Sequence, residues 1–235
     1  MVLERVQKII ANNSPISRRK AETLIEQGKV TVNDAVITIG TSADSQKETI
    51  AINGKKLNCK HESVYFAMYK PKGYMTTVSD PLAKKKIVDL LPAKYQKIGL
   101  YPVGRLDIDA EGLIFFTNDG DFAHKVMHPS FELAKTYKVW LHKPISTAIL
   151  KRIELGVKLK DDFVKDITAR KITSSCVEIT VHVGMHKVVK RIFDAFEFKV
   201  TRLVRIKIGS FELGSLQPGE IKPLSASFIK KIKSL

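Results

Sequence analysis

The segment YPVGRLDIDAEGLIFFTNDG sets Arg105, Asp107, Asp109 and Glu111 in a loop just ahead of an apolar run. Loops carried on a rigid strand are where binding and catalytic residues concentrate. Two carboxylates this close suit acid–base work or Mg²⁺ binding, and a solvated acidic turn would hold the same residues. His124 with His128, and His182 with His186, are each spaced by four. Two ligands without a third read more plainly as packing or surface histidines. Cys59 and Cys176 show neither CxxC spacing nor a histidine pairing that suggests zinc, so no metal site is expected. Arg18, Arg19 and Lys20 fall in the first turn of a predicted helix, where free N–H groups and the helix dipole favour an anion. Cations there are poorly placed for the helix. A phosphate neighbour would resolve the conflict, and solvation of three surface charges is the alternative. On spacing alone, Tyr137 is a strand aromatic and Lys190 a helix lysine.

The elements that must position these residues can be read from pattern. Val2, Val6, Ile9 and Ile10 make a helical stripe that Asn12–Asn13–Ser14–Pro15 ends. A second helix starts at the N-cap Ser17 and stops at Gly28, with Ala21, Leu24 and Ile25 as its apolar face. Short alternating stretches follow, with turns at Asn33–Asp34 and Asn53–Gly54. From Val64 on, VYFAMYK, LIFFT, KTYKVWL, CVEITVHV and LVRIKIGSFELG read as strands, while DFAHKVMH, VVKRIFDAF and SASFIKKIKSL read as helices. Strands and helices do not alternate strictly. The expected class is therefore α+β: a small N-terminal module, then a domain on a large mixed, mainly antiparallel sheet with flanking helices. The boundaries are 1–57 for the module, 58–63 for a short polar linker and 64–235 for the larger domain.

The chain has 235 residues, 44% of them hydrophobic, enough to bury a substantial core. Forty Lys and Arg against 24 Asp and Glu leave a net charge of +16. Such an excess repels itself, and a polyanion relieves it, because each neutralised phosphate releases counterions. No run of 18 apolar residues is present and the start is too charged for a secretory signal. The reading is a cytoplasmic protein with reduced thiols, no membrane association, no implied protein partner and a monomeric state.

SRRKAETLIEQGKVTVND, with NGKKL further on, resembles the S4 RNA-binding domain. GRLD, then GL, TNDG, the HP pair and KTY, is similar to the pseudouridine synthases of the RsuA and RluB kind, which act on ribosomal RNA. KPKGYMTTVSDP, KRIF and LGSLQPGEIKPL extend the resemblance over essentially the full chain, nearest to the large-subunit type. The resemblance implies that Asp107 is the essential carboxylate. It implies that Arg105 helps hold the target nucleotide out of its stack, that Tyr137 lies against the uracil ring and that Lys190 pairs with Asp107. It also implies that Arg18, Arg19 and Lys20 touch structured RNA, that the partner is ribosomal RNA, free or in an assembling subunit, and that no cofactor is needed.

The chemistry accounts for these types. A stacked uridine must be extruded, at a cost of a few kcal/mol. Its glycosidic C–N bond then breaks, the uracil turns, and a C–C bond forms at C5. An ionised carboxylate either attacks the sugar or acts on it so that a glycal-like intermediate forms. Burial opposes that ionisation, and a close cation counters the effect. Stacking on a tyrosine is worth ~1–3 kcal/mol per base. Three positions depart from the family pattern. Ala110 replaces a common Thr, Met185 a common Arg, and Val188 a polar residue, commonly Gln. The last two motivate an alternative, a catalytically weak or inactive RNA-binding ribosome-assembly factor of the same fold. A basic DNA-binding protein is a weaker one, since no recognition helix is evident.

Overall fold

The computed structural model describes residues 3–59, 62–96 and 98–235. Val2 of the first expected helix, and Lys60 and His61 of the expected linker, lie outside the described residues. The chain divides into two compact units. The first takes Met1–Val64 with Leu91–Tyr101 and Thr117–Gly120, and the second takes the remainder.

The first unit holds β1 (Glu4–Arg5), α1 (Val6–Asn13), α2 (Arg18–Glu26), β2 (Val30–Val32), β3 (Ala35–Val36), β4 (Ser42–Ala43), β5 (Ile50–Ile52) and β6 (Lys55–Lys56). Ser17 caps α2 by accepting from the Lys20 N–H, and Gly28 follows the helix at a φ of +66°. Both features were expected from residue type. Among the described residues β3, β2, β5 and β6 form an antiparallel sheet in that order. Val6, Ile9 and Ile10 of α1 pack with Ala21, Leu24 and Ile25 of α2 over Val30 and Ile50 of this sheet. Arg18, Arg19 and Lys20 are exposed.

Next come β7 (Tyr65–Lys70), α3 (Ala93–Gln96), β8 (Tyr101–Val103), β9 (Glu111–Thr117), α4 (Gly120–Met127), β10 (Lys135–Leu141), α5 (Thr147–Glu154), β11 (Val157–Lys158), β12 (Phe163–Val164), β13 (Thr168–Lys171), β14 (Cys176–Val181), α6 (Val188–Asp194), β15 (Val200–Ile208), β16 (Phe211–Glu212), β17 (Ile221–Pro223) and α7 (Ala226–Lys233). Among the described residues nine strands form one sheet, ordered β13-β14-β10-β15-β9-β7-β17, with β16 beside β15 and β8 beside β9. The sheet is mixed and mainly antiparallel, as expected. β9 pairs with β15 in parallel, where Gly112 stands opposite Arg205. β9 is buried almost throughout, which fits a strand covered on both faces. Val139, Ile179, Val189, Ile192, Phe193 and Leu203 lie in one core cluster with Leu150 and Ile153 of α5. Phe115 packs edge to face with Phe211 and Phe228, which are tilted against each other, and the centroids are 5.3–5.5 Å apart.

Candidate active site

The loop between β8 and β9 carries Arg105, Asp107 and Asp109, and its backbone is held from below. Lys70, at the end of β7, is fully buried. Its ammonium donates to the carbonyls of Ala110 at 2.7 Å, Asp107 at 3.0 Å and Pro71 at 3.2 Å. Thr76 Oγ1 donates to the Leu106 carbonyl at 2.7 Å, and the Gly73 N–H donates to the Ile108 carbonyl at 2.7 Å. Burial pushes the Lys70 ammonium down to about 8, against the pull of Asp109, Asp107 and Glu111. Satisfying three carbonyls, one of them in a fully buried bond, is what justifies so costly a cation. Ala110 is itself buried in the core, so its missing hydroxyl leaves an apolar contact in place.

Above this loop stands Lys190, in the first turn of α6. Val188, Val189, Ile192 and Phe193 anchor that helix in the core and fix where the lysine points. Its ammonium lies 3.4 Å from Asp107 Oδ2 and 2.6 Å from Asp109 Oδ1. The expected pair with Asp107 is thus part of a three-charge bridge whose shorter arm goes to Asp109. Hydrogen bonding from Lys190 holds the Asp109 carboxyl below the usual carboxylate range. Asp107 is the more covered carboxylate, with 23% of its side chain exposed against 57% for Asp109.

Beside this bridge is a cavity of about 230 Å³ whose wall includes Arg105, Lys135, Tyr137, Met185, Val188 and Arg205. Asp107 is two residues from Arg105 on the same loop, and Lys190 is two from Val188 on the same helix. Arg105 is exposed and Tyr137 is 7% exposed. Two of the three departures, Met185 and Val188, therefore sit in the cavity wall, where they add apolar surface.

The cavity's cations reach it through a fault in the sheet. On β10, Lys135 and Tyr137 are two apart and share a face. Across from them Thr136 pairs with Lys207, but Tyr137 pairs with Arg205, so Ile206 is an extra residue in β15. Strict alternation would send Arg205 to the face of Lys207, and the bulge re-aims it toward Tyr137. Arg205 is 4% exposed. Its Nε donates to the Leu113 carbonyl at 2.7 Å and Nη1 to the Arg105 carbonyl at 3.5 Å. Nη2 is buried and has no hydrogen-bond partner among the described residues. Burial first, and then the Arg205 charge, push the Lys135 ammonium down to about 8.

Lys70, Lys135 and Arg205 escaped the sequence-based choice of site residues, while Asp109 was noted as a second loop carboxylate without being assigned to Lys190. For Lys135 the KTY spacing was a usable signal. For Arg205 alternation offers no signal, since it puts this residue on the face of Lys207. The histidine pairs act otherwise: His124 and His128 rings lie 4.7 Å apart, His128 Nδ1 bonds Ser130, and His182 Nδ1 bonds the Asp166 carbonyl. Among the described residues no group of three or more His, Cys, Asp or Glu is placed to hold a metal ion. No described helix is long and apolar enough to cross a membrane.

Residues 64–197 match the model of the RNA pseudouridylate synthase family, and residues 4–42 match that of the S4 domain. The chain is 35% identical over 239 residues to ribosomal large subunit pseudouridine synthase B of Bacillus subtilis, covering 99% of this chain and 97% of that one. It is 33% identical over 232 residues to an uncharacterised RNA pseudouridine synthase of Aquifex aeolicus, covering 98% and 97%. A crystal structure of a pseudouridylate synthase superposes with a TM-score of 0.71 at 31% identity, covering 97% of this chain and 99% of that one.

Proposed function

Because this chain belongs to the RNA pseudouridylate synthase family and carries an S4 domain, we propose that it converts one uridine of ribosomal RNA, in the large subunit, to pseudouridine with Asp107 as the acting carboxylate. The observation that carries the reading is the Asp107–Lys190–Asp109 bridge beside a cavity that holds a tyrosine face. Tyr137 offers that face to the extruded uracil. Arg105, exposed at the cavity, holds the nucleotide out of its stack. Lys190 pairs with the carboxylate, and Asp107 acts on the ribose while the C1′–N1 bond breaks. The base turns within the cavity, and C1′ then bonds to C5. The C5 proton leaves and N1 gains one, so the reaction is an isomerisation that consumes no oxidant. Arg18, Arg19 and Lys20 hold structured RNA through its phosphates.

The test is tritium release from 5-tritiated uridine in ribosomal RNA. Wild type should release label and Asp107→Asn should release none above background. Full turnover by the variant removes Asp107 from the chemistry. The apolar wall made by Met185 and Val188 favours a second reading, an RNA-binding assembly factor without turnover. Wild-type protein that binds the RNA tightly and leaves every uridine unchanged would establish it.

A further inference from the structure

We propose that Lys135 and Arg205 form an anion site inside the cavity that holds the carbonyl edge of the detached uracil and stabilises its negative charge. The inference rests on the function proposed above and assigns two residues to a step that Asp107, Tyr137 and Lys190 leave uncovered. When C1′–N1 breaks, its electron pair leaves with the base, whether the carboxylate attacks the sugar or assists loss of a sugar proton. The departing uracil is then an anion, with charge spread over N1, O2 and O4. Asp107 and Asp109 are negative and offer it nothing. A cation or hydrogen-bond donor must meet it, and donors set in advance in a dry cavity are worth most.

Arg205 meets that requirement. It is 4% exposed, it lines the cavity, and its Nη2 has no hydrogen-bond partner among the described residues. Buried guanidinium donors left unpaired are costly, and a carbonyl oxygen brought against this one would relieve that cost. Lys135 lines the same cavity with its ammonium 3.1 Å from the Leu133 carbonyl. Two half-dry cations side by side repel each other, and an anion between them relieves both. Tyr137 is the cross-strand partner of Arg205 and both line the cavity, so a base on the ring has the guanidinium as a neighbour. Apart from Arg105, the rest of the wall, including Val183, Met185 and Val188, carries no charge and suits a flat heterocycle.

Three proteins test this: wild type, Lys135→Met and Lys135→Arg, the methionine being close in shape and the arginine keeping the charge. Binding is measured with uracil and with 5-nitrouracil, which is ionised at neutral pH. Wild type and Lys135→Arg should favour 5-nitrouracil by about ten-fold or more, and Lys135→Met should lose most of that preference with little change for uracil. Single-turnover rates at saturating RNA should fall for Lys135→Met with RNA affinity held. The fall should be smaller on RNA carrying 5-fluorouridine, whose fluorine takes up part of the charge on the departing base. A residue that merely props the fold would slow both substrates equally, and that result overturns the proposal. So does wild type without anion preference, or a Lys135→Met defect confined to RNA affinity and its salt slope, which would place a backbone phosphate on these cations. Wild type that isomerises no uridine overturns the proposed function instead, and the 5-nitrouracil preference alone then decides whether the cavity selects an anionic pyrimidine.

Discussion

Lys70 shows how much of the site depends on a side chain that no substrate reaches. Its three carbonyl partners include Asp107 and Ala110, so the backbone of the β8–β9 loop is fixed by one buried ammonium. The ammonium's folded value of about 8 lies below its ordinary value of 10.5. Between those values the unfolded chain keeps a proton that the folded chain has released, so stability from this group rises with pH across that window. Lys70→Met abolishes the titration and strands the carbonyls, at a cost of about 1–3 kcal/mol near neutral pH. The gap in urea midpoint between wild type and variant should widen from pH 8 to pH 10. A gap that narrows would mean that the ammonium is favoured inside the protein. Asp109 works at the same scale with the opposite sign. Its contribution is complete above the ordinary carboxylate range and fades as pH falls through its depressed value. Because its side chain is 57% exposed, solvent screens most of that effect.

At the level of elements, the parallel join of β9 and β15 does the positioning. Gly112 has a φ of +105°, and a Cβ there would come within 2.3 Å of the Arg205 carbonyl oxygen. Gly112→Ala is therefore expected to cost more than about 2 kcal/mol, from strain and from displaced backbone together. It should also displace Arg205 and slow turnover. An unchanged denaturation midpoint would show that the two strands can part freely. Local chemistry made much of this architecture readable: Ser17 and Gly28 bracket α2 by residue type, and the apolar runs of β7, β9 and β10 stand out. Elements whose order comes from packing were missed. Helix α5 has the Ser146 cap but only eight residues, and β11 and β12 have two residues each. The bulge at Ile206 is invisible in a row of alternating residues, so nothing in sequence aims Arg205 at Tyr137. Likewise GRLDID presents two carboxylates alike, and only the approach of α6 ranks their distances to Lys190.

Across the whole molecule the excess of positive charge sets the terms of binding. Arg18 and Arg19 are exposed at the start of a capped helix, where phosphate is the natural neighbour. Arg18→Ala with Arg19→Ala should weaken RNA affinity and reduce the slope of log K against log salt by roughly 1–2, with single-turnover chemistry unchanged. An unaltered slope takes both residues out of the interface. The β9–β15 join also carries a message about time. Gly112 and Arg205 are about ninety residues apart, so a ribosome adding ~5–20 residues per second delivers the second partner roughly 5–20 seconds after the first. The N-terminal sheet, whose strands all lie within residues 30–56, needs no such wait. A growing chain thus holds everything its N-terminal sheet needs well before the two strands that shape the cavity can meet.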